Sequence, residues 1–374
     1  MIYLDHNATT PIDPVVAQAM MPYIFEHYGN PSSSHMLGQT AKQAVEQARK
    51  QLASLLNALP DEIIFTSGGS ESNNMVIKGI AWKYKEKGNQ IITSVIEHPS
   101  VLKVCTYLEE EGYEIIYLPV DSYGQVRPAD LEAVISDQTL LVSVMHANNE
   151  TGTIQPIKEL AAIAHRHGAL FHTDAAQSVG KITTDVRDMD VDFLTVAGHK
   201  LYAPKGIGAL YIRQGIRIDP FIHGAGHERG LRAGTENVIF DVALGEAASI
   251  AMDKMQDQAI RELTQYFWEQ LKQIFHNQVV LNGHPVERLP NTLNVSFIGH
   301  RGYEILDKMN DVAASTGSAC HAGQTSLSPV LKAMGIDEAD GLGAIRFSLG
   351  RKTTRDEIDQ TVSQLHRIIS GSED

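Results

Sequence analysis

The sequence predicts an α/β protein: a mainly parallel sheet covered on both faces, joined to a smaller α+β unit. Three observations carry this. Short apolar strand segments alternate with helix-patterned segments over the first two thirds of the chain, as parallel strands with crossover helices require. The strand segments are apolar with little alternation, which suits strands buried on both faces. A long helical stretch, about 238–276, then leads into a tail with more widely spaced strands.

The elements follow in order. Helices are predicted over 14–27 and 38–57, then a strand over 62–66. A Gly68-Gly69 turn opens a helix over 70–87, with apolar spacing through Met75, Ile77, Ile80, Ala81 and Tyr84. Further strands are predicted at 91–93, 114–118, 140–144, 169–173, 193–196 and 207–212, with helices at 99–111 and 157–167 among them. The tail carries strands at 292–297 and 344–349 and a closing helix at 355–369. Residues 370–374 read as a frayed end.

Composition narrows the function. The 374 residues hold 31 Lys and Arg against 45 Asp and Glu, a net charge of −14. That argues against a broad nucleic-acid surface. No apolar run reaches membrane-spanning length. Met1 leads straight into Ile2-Tyr3-Leu4-Asp5, without a basic and then apolar leader, and the only cysteines are Cys105 and Cys320. Both features point to a reducing, cytoplasmic setting. No metal site is assigned.

Three local patterns carry chemistry. Lys200, in Gly198-His199-Lys200, stands between a strand and a Gly/Pro turn. A lysine fixed there can form a Schiff base with an aldehyde cofactor, although a loop lysine alone is as readily a solvated charge. Asp174 follows the strand at 169–173, where polar residues of open α/β sheets face a ligand crevice. It suits either a helix cap or a carboxylate holding a proton on a pyridine nitrogen. Ser67-Gly68-Gly69-Ser70 precedes a helix and offers free N–H groups and the positive dipole end to a phosphate. No Gly-Lys-Ser/Thr follows, so it is not a Walker motif, and an ordinary helix start fits it too.

These pieces, in this order, resemble fold-type I pyridoxal phosphate enzymes, and more closely the cysteine desulfurase family of the NifS/IscS type. The resemblance runs nearly end to end. It includes Leu4-Asp5-His6-Asn7-Ala8-Thr9-Thr10-Pro11, the Ser-Gly-Gly-Ser-Glu-Ser-Asn-Asn run from Ser67, Glu97-His98 and His146 to Gly152. Asp174 to Gln177, Gly198-His199-Lys200, Gly226 to Asn237 and Ser315 to Cys320 complete it.

The resemblance implies pyridoxal 5'-phosphate, a seven-stranded sheet, and a homodimer. It implies a large domain over 14–255 and a small one made of 1–13 and 256–374. Lys200 would carry the cofactor and move the substrate's Cα proton. Asp174 would pair with the pyridine nitrogen, Gln177 with the phenolic oxygen, and Asn149 would make a nearby polar contact, also toward substrate. His98 would stack on the ring and shuttle protons. Gly69, Ser70 and His199 would hold the phosphate, with Thr235 reaching in from the other subunit. Arg346 would grip the substrate carboxylate, which suits a planar guanidinium. Cys320, in a segment with the composition of a mobile loop, would be the nucleophile. L-cysteine would become L-alanine, with the sulfur held as a Cys320 persulfide for an acceptor protein or thiol, as in iron–sulfur cluster assembly.

Departures from the family pattern are also visible. Ala197 stands where the family commonly has a serine, removing one phosphate hydrogen bond. Cys320-His321 resembles selenocysteine lyases, so release of selenium from L-selenocysteine is the alternative. The family's longer members carry a scaffold-docking C-terminal extension that this chain is expected to lack. An aminotransferase would use Lys200, Asp174 and Arg346 without Cys320, and a non-catalytic adaptor would bind no cofactor.

Overall fold

The computed structural model describes residues 1–255, 258–316 and 326–371. The chain begins with β1 (Ile2–Tyr3), α1 (Pro14–Phe25) and α2 (Met36–Leu56), then β2 (Ile63–Thr66) and α3 (Gly69–Lys83). It continues through β3 (Gln90–Ser94), α4 (Pro99–Glu110), β4 (Glu114–Leu118), α5 (Pro128–Val134) and β5 (Thr139–Ser143). Next come α6 (Ile157–Arg166), β6 (Leu170–Asp174), β7 (Phe193–Ala197), β8 (Gly208–Ile212), α7 (Val238–Lys254) and α8 (Ala259–Phe275). The tail holds β9 (Val279–Asn282), β10 (Thr292–Phe297), α9 (Gly302–Lys308), β11 (Val312–Ala313), α10 (Pro329–Ala333), α11 (Glu338–Gly341), β12 (Ala344–Ser348) and α12 (Arg355–Ser370).

The large sheet has seven strands in the order β2-β8-β7-β6-β5-β3-β4. The strands from β7 to β4 pair in parallel, and β8 runs antiparallel to both β7 and β2. Side-chain alternation divides its strands between two cores. Ile63, Phe65, Val142, Leu194 and Tyr211 enter one, and Ile64, Leu141, Phe193 and Leu210 the other. Both faces being covered explains the near-continuous apolar strands in the sequence.

A separate core joins Phe267, Leu271 and Phe275 of α8 to Leu293, Val295, Ile345 and Phe347 and to Ile358 and Leu365 of α12. It surrounds the antiparallel sheet β12-β10-β9. Ile2 and Leu4 lie in this core too, and β1 pairs in parallel with β11. The first residues of the chain therefore pack with the last third.

One expectation is corrected here. The stretch about 238–276 is not one helix: α7 ends at Lys254 and α8 starts at Ala259. Ala243, Leu244, Ala247 and Ala251 of α7 belong to the large core, while α8 buries its aromatics in the other. One straight rod cannot present its apolar stripe to two separate cores. The α3 helix also stops at Lys83 rather than near 87, and α5 and β9 were not legible as apolar segments of usual length.

Candidate active site

The carboxyl ends of β2, β6 and β7 meet at one edge of the large sheet. Asp174 is the last residue of β6 and pairs with Thr195, while Ala197 and Thr66 both pair with Gly208 at the start of β8. The Gly68 turn packs directly on that point. A Cβ at Gly208 would lie 2.7 Å from the Gly68 Cα and 2.5 Å from the Val196 oxygen, so only glycine fits. Gly68 itself has φ 149°, a conformation that favours glycine. The helix α3 then starts at Gly69, with no preceding turn to occupy its first N–H groups. A Cβ at Gly69 would sit 3.5 Å from the Ala197 Cβ, so the Ala197 methyl faces this helix start.

Lys200 ends the short turn Gly198–Lys200 that follows β7. Its Nζ donates to the carbonyl of Asn7 and, at 2.7 Å, to that of Ala8. The same N-terminal strap fastens the turn: Thr10 Oγ1 donates to the His199 carbonyl at 3.0 Å and accepts from the Tyr202 N–H at 2.9 Å. Burial first, and the Arg346 charge second, bring the Lys200 amine down to about 8 against the opposing pull of Asp5 and Asp174. Near neutral pH a useful fraction is therefore uncharged and nucleophilic.

Asp174 is buried, with Asn73 Nδ2 donating to Oδ2 at 2.7 Å and the Ala176 N–H to Oδ1 at 2.9 Å. His98 caps α4, and the Ser100 N–H donates to its Nδ1 at 3.1 Å, which leaves the ring proton on Nε2. The ring remains accessible, yet the protein crowding it lowers its pKa, with Asp174 raising it and Lys200 lowering it. His199 contacts Thr9 Oγ1 at 3.2 Å and is pushed down to about 4 by burial and by the Lys200 charge. Both histidines are thus neutral at physiological pH. Gln177 Nε2 donates to the Asn7 carbonyl at 2.9 Å, beside Lys200.

Arg346 lies on β12 with Ile345 and Phe347 facing the core on the opposite side, as alternation predicted. Its side chain is 4% exposed. One guanidinium nitrogen donates to Asp5 Oδ1 at 2.6 Å, another to the Asn149 carbonyl at 2.9 Å, and Nε has no partner. It is the backbone oxygen of Asn149 that makes these contacts, with Asn7 Nδ2 as a second donor at 3.3 Å.

Cys320 lies outside the described residues, as does His321. The described chain approaches from Ser315, which pairs with Arg346, and resumes before Ser328, whose Oγ donates to Glu150 Oε2 at 2.5 Å. Thr235 is exposed on the segment before α7. Ser70 is exposed in the first turn of α3. Cys105 is buried on α4 with its thiol pushed up to about 12, which makes it inert.

The donor set fits pyridoxal phosphate. A partly neutral amine suits its aldehyde, the open start of α3 its phosphate, and the Asp174 carboxylate its ring nitrogen. Asn7, Asn73 and Asp5 also shape the site. The motifs around them were visible in the sequence, but no local spacing ties Asn7 to Lys200 or Asp5 to Arg346.

Comparison with known proteins agrees. Residues 2–361 match the model of the aminotransferase class-V family. Cysteine desulfurase IscS of Methanosarcina thermophila is 45% identical over 372 residues, covering 98% of this chain and 92% of that protein. The solved structure of a NifS-like protein superposes with a TM-score of 0.93 at 37% identity, over 99% of this chain and 100% of that one. SspA in complex with cysteine gives a TM-score of 0.84 at 38% identity, over 93% and 99% of the respective chains. Geometry, sequence and fold therefore converge, and the chain belongs to the cysteine desulfurase family within the class-V aminotransferases.

Proposed function

We propose that this protein is a pyridoxal phosphate-dependent cysteine desulfurase that converts L-cysteine to L-alanine and passes the sulfur to an acceptor. The observation that carries this reading is Lys200: an amine brought to about 8 by its surroundings, at the strand ends that also present Asp174 and the start of α3. When bound, the cofactor supplies an electron sink for the substrate's Cα carbanion.

The chain's own residues do the rest. Lys200 holds the cofactor and moves the Cα proton; Asp174, kept in place by Asn73, holds the proton on the ring nitrogen. His98 covers the ring, and its Nε2 proton is free to transfer. Gly69, Ser70 and His199 receive the phosphate, Gln177 the phenolic oxygen, and Arg346 with Asn149 the substrate. The Cys320 thiolate attacks the substrate sulfur. A sulfur–sulfur bond forms, the Cβ–S bond breaks, its electron pair stays with carbon, and protonation there yields alanine. A thiol or acceptor protein then takes the sulfur. Iron–sulfur cluster assembly suits the relatives' names, and the reading places the protein in the cytoplasm.

The same reading takes 14–255 as the large domain and 1–13 with 256–374 as the small one. It takes the active protein as a homodimer. Phe25, Tyr28 and Met36, 68%, 75% and 76% exposed, cluster around the junction of α1 and α2 and suit a covered face. In this reading Thr235, which is exposed, serves the other subunit.

The test is turnover of L-cysteine and L-selenocysteine by wild type and Cys320→Ala, with a reducing thiol present. Equimolar alanine and sulfide from cysteine, lost in the variant, support the reading. Strong preference for selenocysteine points to the lyase instead. Retained cysteine turnover in Cys320→Ala overturns the role of that thiol.

A further inference from the structure

Lys181 has no place in the chemistry above, yet it converges on the same residue as Lys200. Its Nζ donates to Asn7 Oδ1 at 3.2 Å and to Gln177 Oε1 at 3.1 Å. Lys200 Nζ and Gln177 Nε2 both donate to the carbonyl of that same Asn7. An ammonium has donors only, so it dictates which end of each amide faces it. Gln177 must turn its oxygen to Lys181 and its N–H toward the Lys200 side. Asn7 must turn Oδ1 to Lys181, which leaves its Nδ2 to donate to Thr292 Oγ1 at 2.9 Å.

We propose that Lys181 is a positioning residue for Lys200: as a donor it fixes the orientation of Asn7 and Gln177, and so the carbonyl on which the cofactor-capturing amine rests. The inference rests on Lys200 being that amine.

The electrostatic surroundings support it. Neither lysine forms an ion pair among the described residues; both bond to amide and carbonyl oxygens. Lys181 lines a cavity of about 160 Å³ between the two cores, together with His6, Tyr202, Lys254 and Arg351. Lys200 and Arg346 also act on it, and Asp5 is spent on Arg346. Burial first, then these two cations, brings Lys181 to about 7. Like charges on one asparagine make it costly for both amines to be protonated together.

The test follows capture of pyridoxal phosphate by the apoprotein, read as growth of visible absorbance across pH, with melting curves as a folding control. Lys181→Met, which leaves both amides free to turn, should slow capture roughly tenfold near neutral pH while leaving the midpoint of its pH profile near that of wild type. Lys181→Gln, which keeps polar contacts but no charge, serves the same purpose if the methionine variant does not fold. Lys181→Arg, also a pure donor with a fixed charge, should stay within about threefold of wild type. Wild-type capture rates in both neutral variants overturn the inference, as does an arginine variant as slow as the methionine one. Lys200→Ala separates the underlying reading: loss of capture there leaves it standing, whereas continued capture overturns the role of Lys200 and this inference with it.

Discussion

Ser315 and Arg346 exchange two backbone hydrogen bonds, 2.6 Å from the Arg346 N–H to the Ser315 carbonyl and 3.2 Å in return. The chain therefore departs toward Cys320 from the strand that carries the buried guanidinium. On the far side of that segment, Ser328 is fastened to Glu150, the neighbour of the Asn149 carbonyl that Arg346 also holds. The described chain on both sides of residues 317–325 is thereby fastened close to Arg346, the proposed substrate grip.

Removing the guanidinium should show first in substrate affinity. Arg346→Ala is expected to raise the KM for L-cysteine at least about tenfold, roughly 1.4 kcal/mol, because a bidentate partner is lost and Asp5 is left unpaired. Arg346→Lys should recover little, since a point charge cannot hold Asp5, Asn149 and a carboxylate in one plane. Steady-state kinetics decide it; an unchanged KM in the alanine variant removes Arg346 from the substrate site.

Ala197 offers the opposite experiment, a gain. Its methyl faces the start of α3, where a serine hydroxyl would add a donor to the phosphate. Ala197→Ser should tighten cofactor binding by about 1 kcal/mol, some fivefold in dissociation constant. Titration of apoprotein with pyridoxal phosphate measures it, and equal or weaker binding argues that another group already fills that direction.

Glu97 predicts a pH dependence of stability. Its buried carboxyl is pushed up to about 8 from 4.5 by burial, against hydrogen bonds from Ser94 and the Met145 N–H and with help from Asp174. Oε2 has no partner. The folded state therefore holds a proton that the unfolded state releases above about 4.5. Stability from this group is full below that value and is lost as pH rises through about 8. Glu97→Gln should flatten this slope, narrowing the stability difference between mildly acidic and alkaline pH by at least ~1 kcal/mol. Denaturant midpoints against pH provide the comparison, and parallel profiles for the two proteins reject the assignment.

Gly208→Ala tests the backbone contact beneath the Gly68 turn, the proposed phosphate site. The added carbon meets backbone atoms on two sides, so neither can rotate away. A loss of at least ~2 kcal/mol is expected, with weaker cofactor binding because the Gly68 turn must shift. A melting temperature within error of wild type contradicts this packing.

What could be read from the sequence was local. The strand ending in Asp174, the turn carrying Lys200 and the Gly68-Gly69 helix start are each set by neighbours a few residues away. Their periodicity and turn chemistry carry the signal. The Lys200 contact with Asn7 spans 193 residues, and the Arg346 ion pair with Asp5 spans 341. No pattern along the chain encodes such pairings, which arise only when the sheet brings strand ends together. The break between α7 and α8 was hidden for a related reason: both segments are good helices, and only their assignment to different cores separates them.

The N-terminal strap has a consequence for the order in which the protein is made. Asp5, Asn7 and β1 leave the ribosome long before their partners Arg346, Ser348 and β11. Until then β1 has no strand to join and Asn7 no anchor for the carbonyl that holds Lys200. The seven-stranded sheet, complete by Ile212, can form during elongation, while the amine site waits for the tail. Contacts of such long range close slowly. A ribosome-bound chain halted before β11 should therefore carry a folded sheet and a lysine not yet ready for its cofactor, so that loading belongs to the finished polypeptide.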